Sequence, residues 1–142
     1  REMGRGARGV RGMRLDEGQN VISMLVAANE DCSVLTATEN GFGKRTAIAE
    51  YTRHGRGTKG MIAIQTSERN GKVVGALLVQ PDDELMLMST NGVLIRTLVN
   101  QIREMGRSTQ GVTLMNLDDG DSLAGIEKII ETETEDDQGE SA

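Results

Sequence analysis

One six-residue pattern constrains this chain more than any other feature, because it recurs at a fixed interval. Gly55-Arg56-Gly57-Thr58-Lys59-Gly60 is preceded by Gly4-Arg5-Gly6-Ala7-Arg8-Gly9, 51 residues earlier (55 − 4). It is followed by Gly106-Arg107-Ser108-Thr109-Gln110-Gly111, another 51 residues on (106 − 55). Asn40-Gly41 and Asn91-Gly92 keep the same interval, as do Arg45-Thr46 and Arg96-Thr97. A glycine held at a fixed offset marks a backbone position that needs positive φ or close approach. A period of this length belongs to stacked units, propeller blades among them, which bury their apolar faces only against neighbours.

The period divides the chain into units 1–51, 52–102 and 103–130, followed by residues 131–142. The first residue is Arg1 rather than an initiator methionine, so the chain is expected to be a fragment: two blades and the start of a third. Within the first unit, residues 20–27 and 33–38 are short apolar runs that predict strands. Asn40-Gly41 is a strong hairpin signal, and residues 42–48 return from it. The second unit predicts strands over 61–65, 73–79, 85–90 and 93–97, with Asn91-Gly92 as its hairpin turn. The third predicts 112–115 and 122–130. Helical periodicity is nowhere sustained, so the expected class is all-β.

Charge is unevenly placed. Residues 1–128 hold all 16 Lys and Arg and 16 of the 22 Asp and Glu, so they sum to zero. The remaining six acids, Glu131, Glu133, Glu135, Asp136, Asp137 and Glu140, make up the whole net charge of −6. This acidic tail is expected to be disordered and to compete with a polyanion for the basic body.

Several functions are excluded. One cysteine, Cys32, permits no internal disulfide, and with His54 the only histidine there is no zinc set. No apolar run approaches the length of a membrane span. The first two turns match G-x-G-x-x-G, but a dinucleotide site needs a helix after the motif, and each copy precedes a predicted strand. Aromatic side chains are nearly absent, which argues against a stacking platform for single strands. Tyr51 has no general base near it in sequence, and no catalytic constellation is visible.

The cations are the informative residues. Arg5, Arg8 and Arg11 lie on the first turn and Arg56 and Lys59 on the second. Arg107 stands alone on the third, with Gln110 where the others carry a base. Lys44, Arg45 and Arg96 sit on the hairpins between them. Repeated turns lined along a rim would present point charges to a phosphate backbone, giving duplex binding with little sequence preference.

Residues 39–46 (ENGFGKRT), Glu50-Tyr51 and the glycine turn at 55–60 together resemble a blade of the C-terminal domain of DNA gyrase A subunits. So do residues 102–107 (IREMGR) running into Gln110-Gly111-Val112. The resemblance implies a β-pinwheel, a propeller-like disc whose basic rim bends duplex DNA, acting in the bacterial cytoplasm at the nucleoid. The partners it implies are the B subunit of gyrase and a second copy of the A subunit. ATP and Mg are implied for the complete enzyme, with no cofactor or catalytic residue in this stretch. The seven-residue Gln-Arg-Arg-Gly-Gly-Lys-Gly box of the family's first blade has no match here. The related domain of the topoisomerase IV A subunit is the nearest alternative, and a protein-interaction propeller a more remote one.

Overall fold

Alternation of apolar and polar residues, ended by Asn-Gly, builds two antiparallel hairpins. In a computed structural model of the chain, which describes residues 2–130, the first hairpin is β1 (Ser33–Thr38) and β2 (Phe42–Ala47). The second is β4 (Glu84–Ser89) and β5 (Leu94–Leu98). Between them lies β3 (Val73–Val79), and β6 (Val112–Thr113) and β7 (Leu123–Lys128) follow. Gly41 and Gly92, one period apart, both turn at φ +86°. Each hairpin continues into one turn of 3-10 helix, Ile48–Glu50 and Val99–Gln101. The all-β expectation holds. The acidic tail, with the six carboxylates from Glu131 to Glu140, lies outside the described residues.

The sheets do not follow the unit boundaries. One has the strand order β3-β1-β2-β6, so the first unit's hairpin is flanked by a strand from the second unit and one from the third. The other, β5-β4-β7, joins the second unit's hairpin to a strand of the third. A unit of sequence is therefore not a unit of structure: each hairpin is completed by chain from later periods. Both β1 and β4 carry an irregularity at equivalent positions, Ala37/Thr38 and Met88/Ser89.

This rule explains two predicted strands that do not form. Residues 20–27 and 61–65 are in no strand, and Val21, Met24 and Val26 are 66%, 85% and 77% exposed. One period on from 22–28 lies β3, which forms against β1; one period on from Met61 and Ile62 lies β6, which forms against β2. Among the described residues no hairpin stands in that register to 20–27 or 61–65. β-propensity alone, without a partner strand in register, leaves the backbone unpaired.

The two sheets share one core. Leu35, Ala37 and Val79 from the first pack with Leu85, Leu87, Leu123 and Ile126 from the second, joined by Val99, Ile102 and Met115. A buried leucine contributes about 1.5–3 kcal/mol relative to an exposed one. β3 and β7 lie against each other at Gly75, where an added Cβ would stand 3.2 Å from Cγ1 of Ile126.

Candidate nucleic-acid interface

The glycine turns are linked into a row by a repeated contact. The Arg14 amide donates to the Thr58 carbonyl at 2.9 Å, and one period later the Gln65 amide donates to the Thr109 carbonyl at 3.0 Å. Chain leaving one turn thus packs on the next turn. The first of these junctions adds the Gly57 amide donating to the Gly12 carbonyl at 3.0 Å and a parallel bridge between Met13 and Thr58. Gly9, Gly60 and Gly111, the last glycine of each turn, all adopt φ between 77° and 80°. At Gly111 a Cβ would also strike the Gly43 backbone, so a side chain is barred there twice.

The cations on this row fall into two groups. Arg5, Arg8, Arg11 and Arg56 are exposed. Lys59 is also exposed and pairs with Asp16 at 2.9 Å, both side chains more than half accessible, so the pair contributes at most about 1 kcal/mol. Arg96 is exposed beside Glu84, with which it forms an ion pair.

Lys44, Arg45 and Arg107 do something else. Lys44 is wholly buried at 0% exposure and cannot reach a ligand outside. Its Nζ donates to the carbonyls of Gly106 (2.6 Å), Arg107 (2.5 Å) and Thr109 (3.2 Å) and lies 3.1 Å from Thr109 Oγ1. Burial lowers its pKa, against the opposing pull of Glu50. Arg45, half-buried, donates through Nε to the Ile102 carbonyl at 2.6 Å, while its own backbone pairs with Arg103 and Met105. Arg107 donates through Nε to the Glu50 carbonyl and through Nη1 to that of Ile62, and its amide bonds the Glu50 carboxylate. Thr46 Oγ1 adds a bond to the Met105 carbonyl, and Ser33 Oγ one to Glu104. Lys44, expected at a DNA surface, is instead buried, and Arg45 and Arg107, both partly accessible, tie the chain around the third turn to residues of the first two units. Turn carbonyls need donors, and the hairpin supplies them.

Further exposed cations, outside the set expected at the interface, are Arg14, Arg53, Arg69, Lys72, Arg103 and Lys128. Arg69 has no counterpart one period away, where Gly18 and Gly120 stand, so periodicity hid it. Its guanidinium lies 4.2 Å from the centroid of Phe42 and donates to Gln110 Oε1 at 3.1 Å.

Among the described residues no three His, Cys, Asp or Glu side chains gather as a metal set. No helix follows either of the first two G-x-G-x-x-G turns, so neither offers the helix N-terminus that holds a nucleotide phosphate. These turns therefore do not suit the ATP implied for the complete enzyme. No helix among the described residues is long and apolar enough to cross a membrane.

The chain matches the family described as DNA gyrase C-terminal domain, beta-propeller, over residues 1–28, 33–80 and 83–129. It is 51% identical over 139 residues to the DNA gyrase A subunit of Neisseria gonorrhoeae, covering 95% of this chain and 15% of that protein. Against the DNA gyrase A subunit of Escherichia coli it is 46% identical over 137 residues, covering 96% and 16%. It therefore spans about a sixth of these relatives. A solved DNA gyrase A C-terminal domain superposes with a TM-score of 0.82 at 33% identity, over 92% of this chain and 44% of that one. The C-terminal domain of a DNA topoisomerase IV superposes at 0.79 with 23% identity, over 85% and 38%, a likeness of fold alone. With the family model spanning almost all of the described residues, the chain belongs to the DNA gyrase C-terminal domain family.

Proposed function

We propose that the row of glycine turns binds duplex DNA through its phosphates, as the DNA-wrapping part of a gyrase A subunit. The observation that supports this is the backbone contact repeated from turn to turn, which packs chain leaving the first turn, the one bearing the exposed Arg5, Arg8 and Arg11, on the second turn with its exposed Arg56 and Lys59. Charges spaced on turns neutralise phosphates without reading base edges, so binding is insensitive to sequence. The Asp16 partner of Lys59 is a weak competitor, since both groups are solvated and screened. In the parent protein this binding supports negative supercoiling, driven by ATP on a gyrase B subunit within an assembly containing two A subunits. The stretch itself performs no chemistry.

The test is duplex affinity measured across salt concentrations. Each phosphate neutralised contributes about −0.9 to the slope of log affinity against log salt. Replacing Arg56 and Lys59 together by alanine is expected to flatten the slope by roughly one to two units, equally on unrelated sequences. A loss confined to one sequence shows base reading and removes this account.

A further inference from the structure

The third turn has lost in sequence the base that the first two carry. Arg8, Lys59 and Gln110 occupy the same place in the repeat, and only the last is uncharged. The fold puts a cation back there. Arg69, from the loop before β3, places Nη1 3.1 Å from Gln110 Oε1. That loop is tied down on the turn: Asn70, wholly buried, donates through Nδ2 to the Gln110 carbonyl at 2.7 Å and to the Gln65 carbonyl at 2.9 Å. From the other side Asn40 Nδ2 holds the carbonyls of Glu68 and Arg69 at 3.1 and 3.0 Å. The guanidinium itself lies on the ring of Phe42, the only phenylalanine in the chain, and yet Arg69 stays exposed.

We infer that Arg69 and the backbone of residues 108–110 form a phosphodiester-binding site at the third turn, assembled from two different repeats. The inference rests on the DNA-binding reading above and deepens it. A guanidinium stacked on an aromatic ring and hydrogen-bonded at one nitrogen has already lost much of its rotamer freedom, and its remaining donors form a planar fork suited to phosphate oxygens. Lys44 supplies the second element. Because the carbonyls of Arg107 and Thr109 point to its Nζ, planarity turns the amides of Ser108 and Gln110 the opposite way. Both residues are exposed, and their amides, turned away from Lys44, are the donors this site would offer to an anion. Arg107 is the less suited cation at this turn, its side chain being bonded to the carbonyls of Glu50 and Ile62.

The experiment measures binding of the full chain to duplexes of two unrelated sequences over a range of salt. Arg69→Gln removes the charge and keeps a polar side chain; it is expected to lower the salt slope by about one phosphate's worth, 0.9. Arg69→Lys keeps the charge and is expected to retain the slope. Gln110→Lys added to Arg69→Gln is expected to restore it, because the base returns to its place in the repeat. Thermal melts check that each variant is folded. A slope unchanged in folded Arg69→Gln, while the Arg56/Lys59 double variant flattens it, overturns this site and leaves the wider reading intact. No change in either variant overturns both. Loss of slope that Gln110→Lys fails to recover also overturns the assignment, since the effect would then be one of loop structure.

Discussion

Replacing Lys44 with methionine removes a charge of nearly the same length and leaves the methylene packing in place. The ammonium makes contacts of 2.5–3.2 Å with three carbonyls of the third turn. A hydrogen bond to a charged group is worth about 1.5–3 kcal/mol net. The loss is smaller than three times that value for two reasons. Gly106 keeps the hydroxyl of Thr109 at 2.9 Å and Thr109 keeps the Gln65 amide at 3.0 Å, so the Arg107 carbonyl bears most of the loss. Moreover, burial lowers the Lys44 pKa in spite of Glu50, so hydration lost by the ammonium is not fully returned. One carbonyl stripped of its donor costs about 1–3 kcal/mol. We therefore expect Lys44→Met to destabilise by about 2–3 kcal/mol, a fall of very roughly 10 °C in Tm for a chain of this size. The deficit is expected to persist at high salt, because a buried contact is little screened. It also has a pH signature. With the folded pKa below 10.5, the unfolded chain binds more protons between the two values, so wild-type stability rises with pH across that window. The variant lacks this rise, and its deficit widens as pH approaches 10.5. Denaturant melts of both proteins measure each point. A cost under about 0.5 kcal/mol, the range of an ordinary surface substitution, refutes the argument, because the ammonium would then have been solvated.

Three other perturbations have expected outcomes. Gly41→Ala and Gly92→Ala share φ +86°, but only at Gly41 does a Cβ run into the Met115 carbonyl; at Gly92 it meets nothing within 4 Å. Denaturation should show about 1–2 kcal/mol of backbone strain at Gly92 and clearly more at Gly41, and equal costs would argue against the packing of the third unit on that turn. Burial raises the phenol pKa of Tyr51, the only tyrosine, above 10.0, although Arg107 pulls it down. The folded state then holds its proton longer than the unfolded one, so wild type loses stability relative to Tyr51→Phe as pH rises from 10.0 through the folded value; a phenolate absorbance midpoint at or below 10.0 would contradict this. Deleting residues 131–142, which carry six acids and no base, is expected to tighten duplex binding at low salt, with the gain shrinking as salt rises. Unchanged affinity leaves the tail a solubilising role.

The sequence alone determined the 51-residue period, both Asn-Gly hairpins, the all-β class and the resemblance to gyrase A domains. These are local or repeated signals: a turn residue acts through its own φ, and alternation acts through the two faces of one strand. It also named the exposed arginines of the first two turns, whose side chains make no ion pair or hydrogen bond among the described residues. Tertiary structure decided everything that depends on a distant partner. Residues 20–27 have the apolar content of a strand as surely as Val73–Val79, yet only the latter meet a free edge, at β1. Lys44 and Arg56 are both cations beside glycine, and nothing local says that one is buried. Lys44 turns inward because carbonyls of Gly106, Arg107 and Thr109, more than 60 positions away, converge where its ammonium can reach them. Arg69 was invisible to a period that puts Gly18 and Gly120 at its place. Its position beside Gln110 follows from the Asn70–Gln110 bond and the Arg69–Phe42 contact, which join different units because each sheet is completed by chain from later periods.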